Sequence, residues 1–260
     1  MRDVALSSDG IAVCFEVHGT DGPAIVFVHG WSCDRSYWRG QLDYFAACNR
    51  VVAVDLAGHG ESGAGRSRWT MPAFGEDVVA VVDKLGLEEI VLVGHSMGGD
   101  VVAEAGVQLN GRVSGLVWAD TYATLGKPRT RQELDEFLEP FRQDFVPSTR
   151  EFVRRMFLPD SDHDLVEWVA ADMSAAPPEI ALDAIAHAVG NDGAVLARLR
   201  ELTAPVVAIN PDNRPIDVEA LRAYGVETVL MSGVGHFLML EDADGFNRLL
   251  ADVVEGFARS

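Results

Sequence analysis

Apolar residues along the chain follow two rhythms. The segments AIVFVHG (24–30), VVAVDLAG (51–58), IVLVGHS (90–96) and VSGLVWAD (113–120) are short continuous apolar runs ending in Gly, Asp or a polar turn. That is the pattern of strands buried on both faces of a parallel sheet. PVVAIN (205–210) and ETVLMSG (227–233) add two further runs. At the start, VALSS (4–8) and IAVCFEVHG (11–19) flank Asp9-Gly10, a strong turn dipeptide, and predict a hairpin. Between these runs the period changes to that of a helix. Phe74, Val78, Val81, Val82 and Leu85 share one face of a helix that should stop at Gly86. Phe246, Leu249, Leu250, Val253, Val254 and Phe257 repeat the device near the end of the chain, and DVEALRAYG (217–225) predicts a helix between the last two strands. Strand and helix alternating in this order predict an α/β fold with a doubly wound, mostly parallel sheet.

From Thr121 to Leu202 the strand rhythm stops. RTRQELDEFLEPFRQDF (129–145), TREFVRRMF (149–157), DLVEWVAADM (164–173) and PEIALDAIAHAV (178–189) read as successive helices, punctuated by Pro147, Pro159 and Pro177-Pro178. The expected organisation is a core of residues 1–120 and 203–260, with residues 121–202 inserted as a helical cap over the carboxyl edge of the sheet, where open α/β sheets bind ligands. At 260 residues, one core of this kind is the default.

The formal net charge of −19 comes from acids scattered along the chain, which argues for solubility and against nucleic acid or anionic membranes as partners. No window approaches the roughly 18 uninterrupted apolar residues of a spanning helix, and the first residues lack a signal-type apolar stretch. The expectation is a soluble cytoplasmic protein, monomer or homodimer, with a small-molecule substrate. Cys14, Cys33 and Cys48 show no C-x-x-C spacing, so neither a disulfide framework nor a zinc site is suggested, and no metal or other cofactor is expected. The first strand-turn-helix unit also lacks the G-x-G-x-x-G of dinucleotide sites.

Ser96 lies in Gly94-His95-Ser96-Met97-Gly98, between a buried strand and the helical stretch GGDVVAEAGVQL (98–109). This is the setting of a nucleophile elbow, a sharp turn whose shoulders must be small. A serine needs a histidine to take its proton and an acid to hold that histidine in one tautomer. His236, just past the last strand in SGVGHFLMLED, is the base candidate. For the acid, Asp212 in INPDNRP gives the order Ser, acid, His and is favoured; Asp120, closing GLVWAD, is the alternative. The turn HGWSCD (29–34) can offer the backbone N–H of Trp31, beside that of Met97, to an oxyanion. His29 and His95 sit in glycine turns at strand ends, where hydrogen-bonding roles are expected. With Phe237 and the insertion residues Phe152, Met156, Phe157, Trp168 and Met173, they are the candidate wall of an apolar pocket.

Taken together, VHGWSCDRSYW, VVAVDLAGHGES, VLVGHSMGG, LVWADT and GVGHFLMLEDADGFNRLL resemble the α/β-hydrolase superfamily, in order and spacing over most of the chain. The resemblance implies an eight-stranded sheet, a helical cap after the sixth strand, and a triad of Ser96, Asp212 and His236 with Trp31 and Met97 at the oxyanion hole. One departure is that Asn210 and Pro211 stand where the family pattern after the penultimate strand is G-x-x-D, which keeps Asp120 open as the acid. A serine at the elbow argues against dehalogenase and epoxide hydrolase chemistry, which use aspartate there. Ester hydrolysis is the activity implied, on small to medium uncharged or apolar substrates. Carbon–carbon hydrolysis, lactone hydrolysis or acyl transfer by the same groups are the alternatives, and a non-enzymatic receptor on this fold is a remote one.

Overall fold

The computed structural model describes residues 1–20 and 22–259. Asp9-Gly10 turns the chain as its composition requires, with Gly10 at φ 83°, so that β1 (Arg2–Leu6) pairs antiparallel with β2 (Ala12–His18). After β3 (Ala24–Val28), a short 3-10 turn leads into α1 (Arg39–Phe45) and then β4 (Arg50–Val54). α2 (Met71–Leu85) is capped by the Thr70 hydroxyl and stopped by Gly86 at φ 59°, the left-handed ending read from the sequence. β5 (Ile90–His95), α3 (Met97–Gln108) and β6 (Val113–Ala119) follow.

The strands form one eight-stranded sheet in the order β1-β2-β4-β3-β5-β6-β7-β8, where β7 is Val206–Pro211 and β8 is Val226–Met231. From β4 to β8 every neighbouring pair is parallel. The central strands β3 and β5 are buried along their whole length, which is why their sequences lack alternation, whereas the edge strand β8 is half exposed. The connection from β3 steps outward to β4 and the next returns across β3 to β5. The loops after β3 and β5 therefore diverge at their carboxyl ends, and a crevice opens between them.

Five helices stand between β6 and β7: α4 (Arg131–Gln143), α5 (Phe145–Arg154), α6 (His163–Ser174), α7 (Pro178–Val189) and α8 (Asp192–Glu201). α4 begins with a capping box of Thr130 and Glu133, and α7 begins on Pro178. Pro147, which as punctuation implies a break, lies in the first turn of α5, where its missing N–H has no helical partner to lose. α8 lacks a strong apolar stripe, so the sequence carries no clear helical signal for it. α9 (Val218–Ala223), α10 (Leu238–Glu241) and α11 (Ala243–Ala258) complete the chain, with Phe246 and Leu250 of α11 fully buried. Among the described residues no helix is long and apolar enough to cross a membrane.

Candidate active site

Ser96 joins β5 to α3 with φ 52° and ψ −119°, a backbone that costs about 1–3 kcal/mol and persists only where neighbours over-determine it. The Ser96 N–H donates to Ala119 O (3.0 Å), and its carbonyl accepts from Gly99 N (2.9 Å). A Cβ on Gly94 would sit 2.2 Å from Gly98 O, and one on Gly98 would sit 2.5 Å from Val28 O and 2.6 Å from His29 O. The shoulder glycines are thus required by backbone packed against backbone. Ser32, Ser96 and Asp120 are the non-glycine residues with positive φ among those described, and all three follow carboxyl ends of strands.

The three loops meet at a cavity of about 550 Å³, within the usual range for small-molecule sites. Ser96, Met97, Trp31, His95, Asp120, His236 and Phe237 line its floor. Phe152, Met156 and Met173 reach it from the helices between β6 and β7, together with Phe137 and Ile185. The backbone N–H groups of Trp31 and Met97 donate to no protein acceptor among the described residues. The Trp31 ring is anchored at the same time: its Nε1–H donates to Ala181 O (2.7 Å), and Phe141, Phe145 and Phe152 pack on it edge-on. Ring and backbone of this residue thus face different neighbours.

The pairing of His236 corrects the favoured acid. Its Nδ1 donates to Asp120 Oδ2 at 2.7 Å, which leaves Nε2 as the unprotonated nitrogen of the neutral ring. Asp212 does not touch it. The β7–β8 register continues one residue past Pro211, where the Asp212 N–H donates to Met231 O (3.0 Å), and its exposed carboxylate accepts from the Ser232 hydroxyl. Two neighbours in the same loop, Asn213 and Arg214, reach the cavity, but Asp212 does not. The Asp120 side chain is 1% exposed, and its other oxygen accepts from the Arg214 guanidinium. Burial pushes the Asp120 carboxyl up, but the hydrogen bond and charge of His236, followed by those of Arg214, outweigh it and hold the group below its ordinary value.

His95 lines the cavity and donates from Nε2 to His236 O (3.0 Å), with its ring 4.6 Å from that of His236. Burial, and then the neighbouring His236, push its pKa down to about 3, so it is a neutral support. The remaining pocket expectations are corrected. His29 is buried beneath the loop: Nε2 accepts from Leu56 N–H (3.0 Å), Nδ1 donates to Gly30 O (2.8 Å), and burial lowers its pKa to about 4. Phe157 stacks on Phe237 behind the cavity wall, at 5.0 Å. Trp168 packs outside it, on Tyr37 and under the Arg39 guanidinium, because it falls on the outer face of α6 while Met173 falls on the inner. Sequence reasoning missed Arg214, and also Tyr122, whose hydroxyl donates to the cavity-lining Asp100 (2.6 Å). The signal for Tyr122 is its place two residues past a strand-end aspartate.

The helices between β6 and β7 are tied to the floor at His236 and to the surrounding core at Tyr37 and Trp69. Met156 O accepts from His236 N–H (3.0 Å), Asp172 accepts from the Tyr37 hydroxyl (2.8 Å), and Asp183 accepts from Trp69 N–H (2.7 Å).

Residues 25–249 match the sequence profile of the family described as "Alpha/beta hydrolase family". The chain is 24% identical over 264 aligned residues to 3-oxoadipate enol-lactonase 2 of Acinetobacter baylyi, covering 97% of this chain and 96% of that protein. A shorter stretch of 99 residues is 39% identical to the bifunctional esterase/perhydrolase of Acinetobacter calcoaceticus, and spans 37% of this chain and 36% of that one. Among solved structures, a thermophilic esterase from Thermogutta terrifontis superposes with a TM-score of 0.83 at 25% identity, covering 99% of both chains.

Proposed function

We propose, from the premise that the chain belongs to the alpha/beta hydrolase family, that it hydrolyses carboxylic esters by way of Ser96, His236 and Asp120. One observation carries this reading: the strained Ser96 shares a cavity floor with the Asp120-bonded His236 and with two backbone N–H groups that have no protein acceptor among the described residues. Asp120, held ionised, keeps the proton of His236 on Nδ1, so Nε2 is free to take the proton of the Ser96 hydroxyl as its oxygen attacks the ester carbonyl. The carbonyl oxygen becomes an oxyanion, and the N–H groups of Trp31 and Met97 receive it. His236 returns the proton to the departing alkoxide. Water, deprotonated by the same nitrogen, then attacks the acyl carbonyl, and as the bond to Ser96 breaks His236 returns that proton to the Ser96 oxygen.

The apolar wall supports a small to medium substrate with a largely hydrocarbon acyl or alcohol part. We infer that α4–α8 serve as the cap over it. A cyclic ester is the second reading, favoured by the likeness to an enol-lactonase along nearly the whole chain. The test is turnover of p-nitrophenyl esters of graded chain length and of simple lactones, with Ser96→Ala as blank. The expected loss in the blank is at least about 10³-fold, because the nucleophile is removed while binding and the oxyanion donors remain. Equal turnover by a folded Ser96→Ala protein sinks the proposal.

A further inference from the structure

Each oxygen of Asp120 has its own partner. Oδ2 accepts from His236 Nδ1, and Oδ1 accepts from the guanidinium of Arg214, which comes from the loop after β7. That loop is where the sequence directs attention to Asp212 as the acid. In this chain it delivers a cation to the acid of the neighbouring strand instead. Asp120 is all but inaccessible, while Arg214 is 44% exposed and lines the cavity, so the guanidinium closes the solvent side of a buried carboxylate.

We propose that Arg214 is a positioning residue of the reaction centre: it clamps Asp120 in register with His236 and sets the pH at which the histidine becomes available as a base. The kinetic part of this rests on the ester-hydrolysis reading; the electrostatic part does not.

A carboxylate shared between a guanidinium and an imidazole spends part of its charge on the guanidinium. Removing Arg214 returns that charge to the imidazole, which favours imidazolium over the neutral base. Other groups facing the pair are few. His95, on β5, is held neutral by burial. Glu241, of α10, accepts from the N–H groups of Gly235 and Phe237 on either side of His236. Across the cavity stand Asp100 of α3, Lys127 and Arg129 ahead of α4, and Arg155 just past α5. The last is engaged with Glu151 and Lys127 with Asp217, so neither is bonded to Asp120. Arg214 is therefore the cation whose removal is felt most at His236.

Two readouts test this. The first is kcat/KM against pH on a neutral p-nitrophenyl ester, for wild type, Arg214→Gln, Arg214→Met and Arg214→Lys, with Ser96→Ala as blank. The second is the NMR titration of the His236 ring in the Ser96→Ala background, assigned by loss of its signal in His236→Gln. Both neutral variants should move the acid limb and the ring titration to higher pH by about half a unit to one unit, a size set by the half-exposed position of the guanidinium. Lysine should bring both back toward wild type. Unmoved midpoints in a neutral variant that melts like wild type overturn the proposal. A defect confined to KM for an ester that carries a carboxylate also overturns it, by making Arg214 a substrate contact. If wild type turns over no ester, it is the ester reading that fails, and the ring titration alone decides the role of Arg214.

Discussion

Replacing Asp120 by asparagine exchanges one oxygen for an NH₂ and changes almost nothing in size. At an exposed site the amide would choose its own orientation. At Asp120 it has no choice, because Arg214 has only donors and faces the Oδ1 position. The amide oxygen must turn to the guanidinium, and its NH₂ then points at His236 Nδ1, 2.7 Å away in the native pair. That nitrogen must become the acceptor. The ring proton moves to Nε2, and the nitrogen that should take the Ser96 proton already carries one. The wrong tautomer in an otherwise intact triad costs about 10⁴-fold in kcat, about 5.5 kcal/mol of barrier. Asp212→Asn, which alters an exposed contact to Ser232, should stay within about threefold of wild type, as surface changes do. The same logic predicts a rescue. In Asp120→Asn with Arg214→Met the amide is free to flip and offer its oxygen to Nδ1–H, so the double variant should turn over about tenfold faster than Asp120→Asn alone, a reversal of additivity. The assay is initial rate on a p-nitrophenyl ester at a pH above the acid limb, with thermal melts to confirm folding. A tenfold or smaller loss in Asp120→Asn, or a larger loss in Asp212→Asn, would refute the assignment of the acid.

Two further predictions concern the fold that holds the site. Gly98→Ala drives a methyl group into two carbonyl oxygens of the β3 end, 2.5 and 2.6 Å away, and should destabilise the protein by about 2–4 kcal/mol in denaturant unfolding; an undiminished midpoint would contradict the close approach. Burial pushes the Asp172 carboxyl up, with the Tyr37 hydroxyl opposing it only in part. A raised folded-state value means that stability is full below the unfolded carboxyl range and is lost as pH rises through the folded one. Asp172→Asn removes that loss, and should melt higher than wild type at pH 7, with no advantage at pH 3, when thermal melts are compared at the two pH values.

Much of this molecule is written in local pattern. The strands with both faces buried betray themselves by unbroken apolar runs, and the elbow by two glycines whose necessity can be reasoned from sterics alone. What escaped the sequence depends on where side chains point after folding. Asp120 and Asp212 each follow a parallel strand, and composition does not rank them. The ranking comes from one extra rung of pairing, Asp212 N–H to Met231 O, which keeps Asp212 with the edge strand. Phe157 and Trp168 obey the apolar pattern of their surroundings, but they are spent on Phe237 and Tyr37 rather than on the cavity. Arg214 was illegible because an arginine in a polar loop looks like any solvated charge until its partner, distant in sequence, is known.

The hydrogen bond from His236 N–H to Met156 O joins two things usually considered separately, access and competence. An outward swing of the segment between α5 and α6 that opened the cavity would withdraw the acceptor from the backbone of the base. The open protein would then admit ligand while its proton acceptor was unanchored, and the closed one would hold the acceptor fixed while sealing the entrance. A ligand too large to let Met156 return to His236 would hold the two apart, so that the contact shaping the entrance would also report on the backbone that carries the histidine.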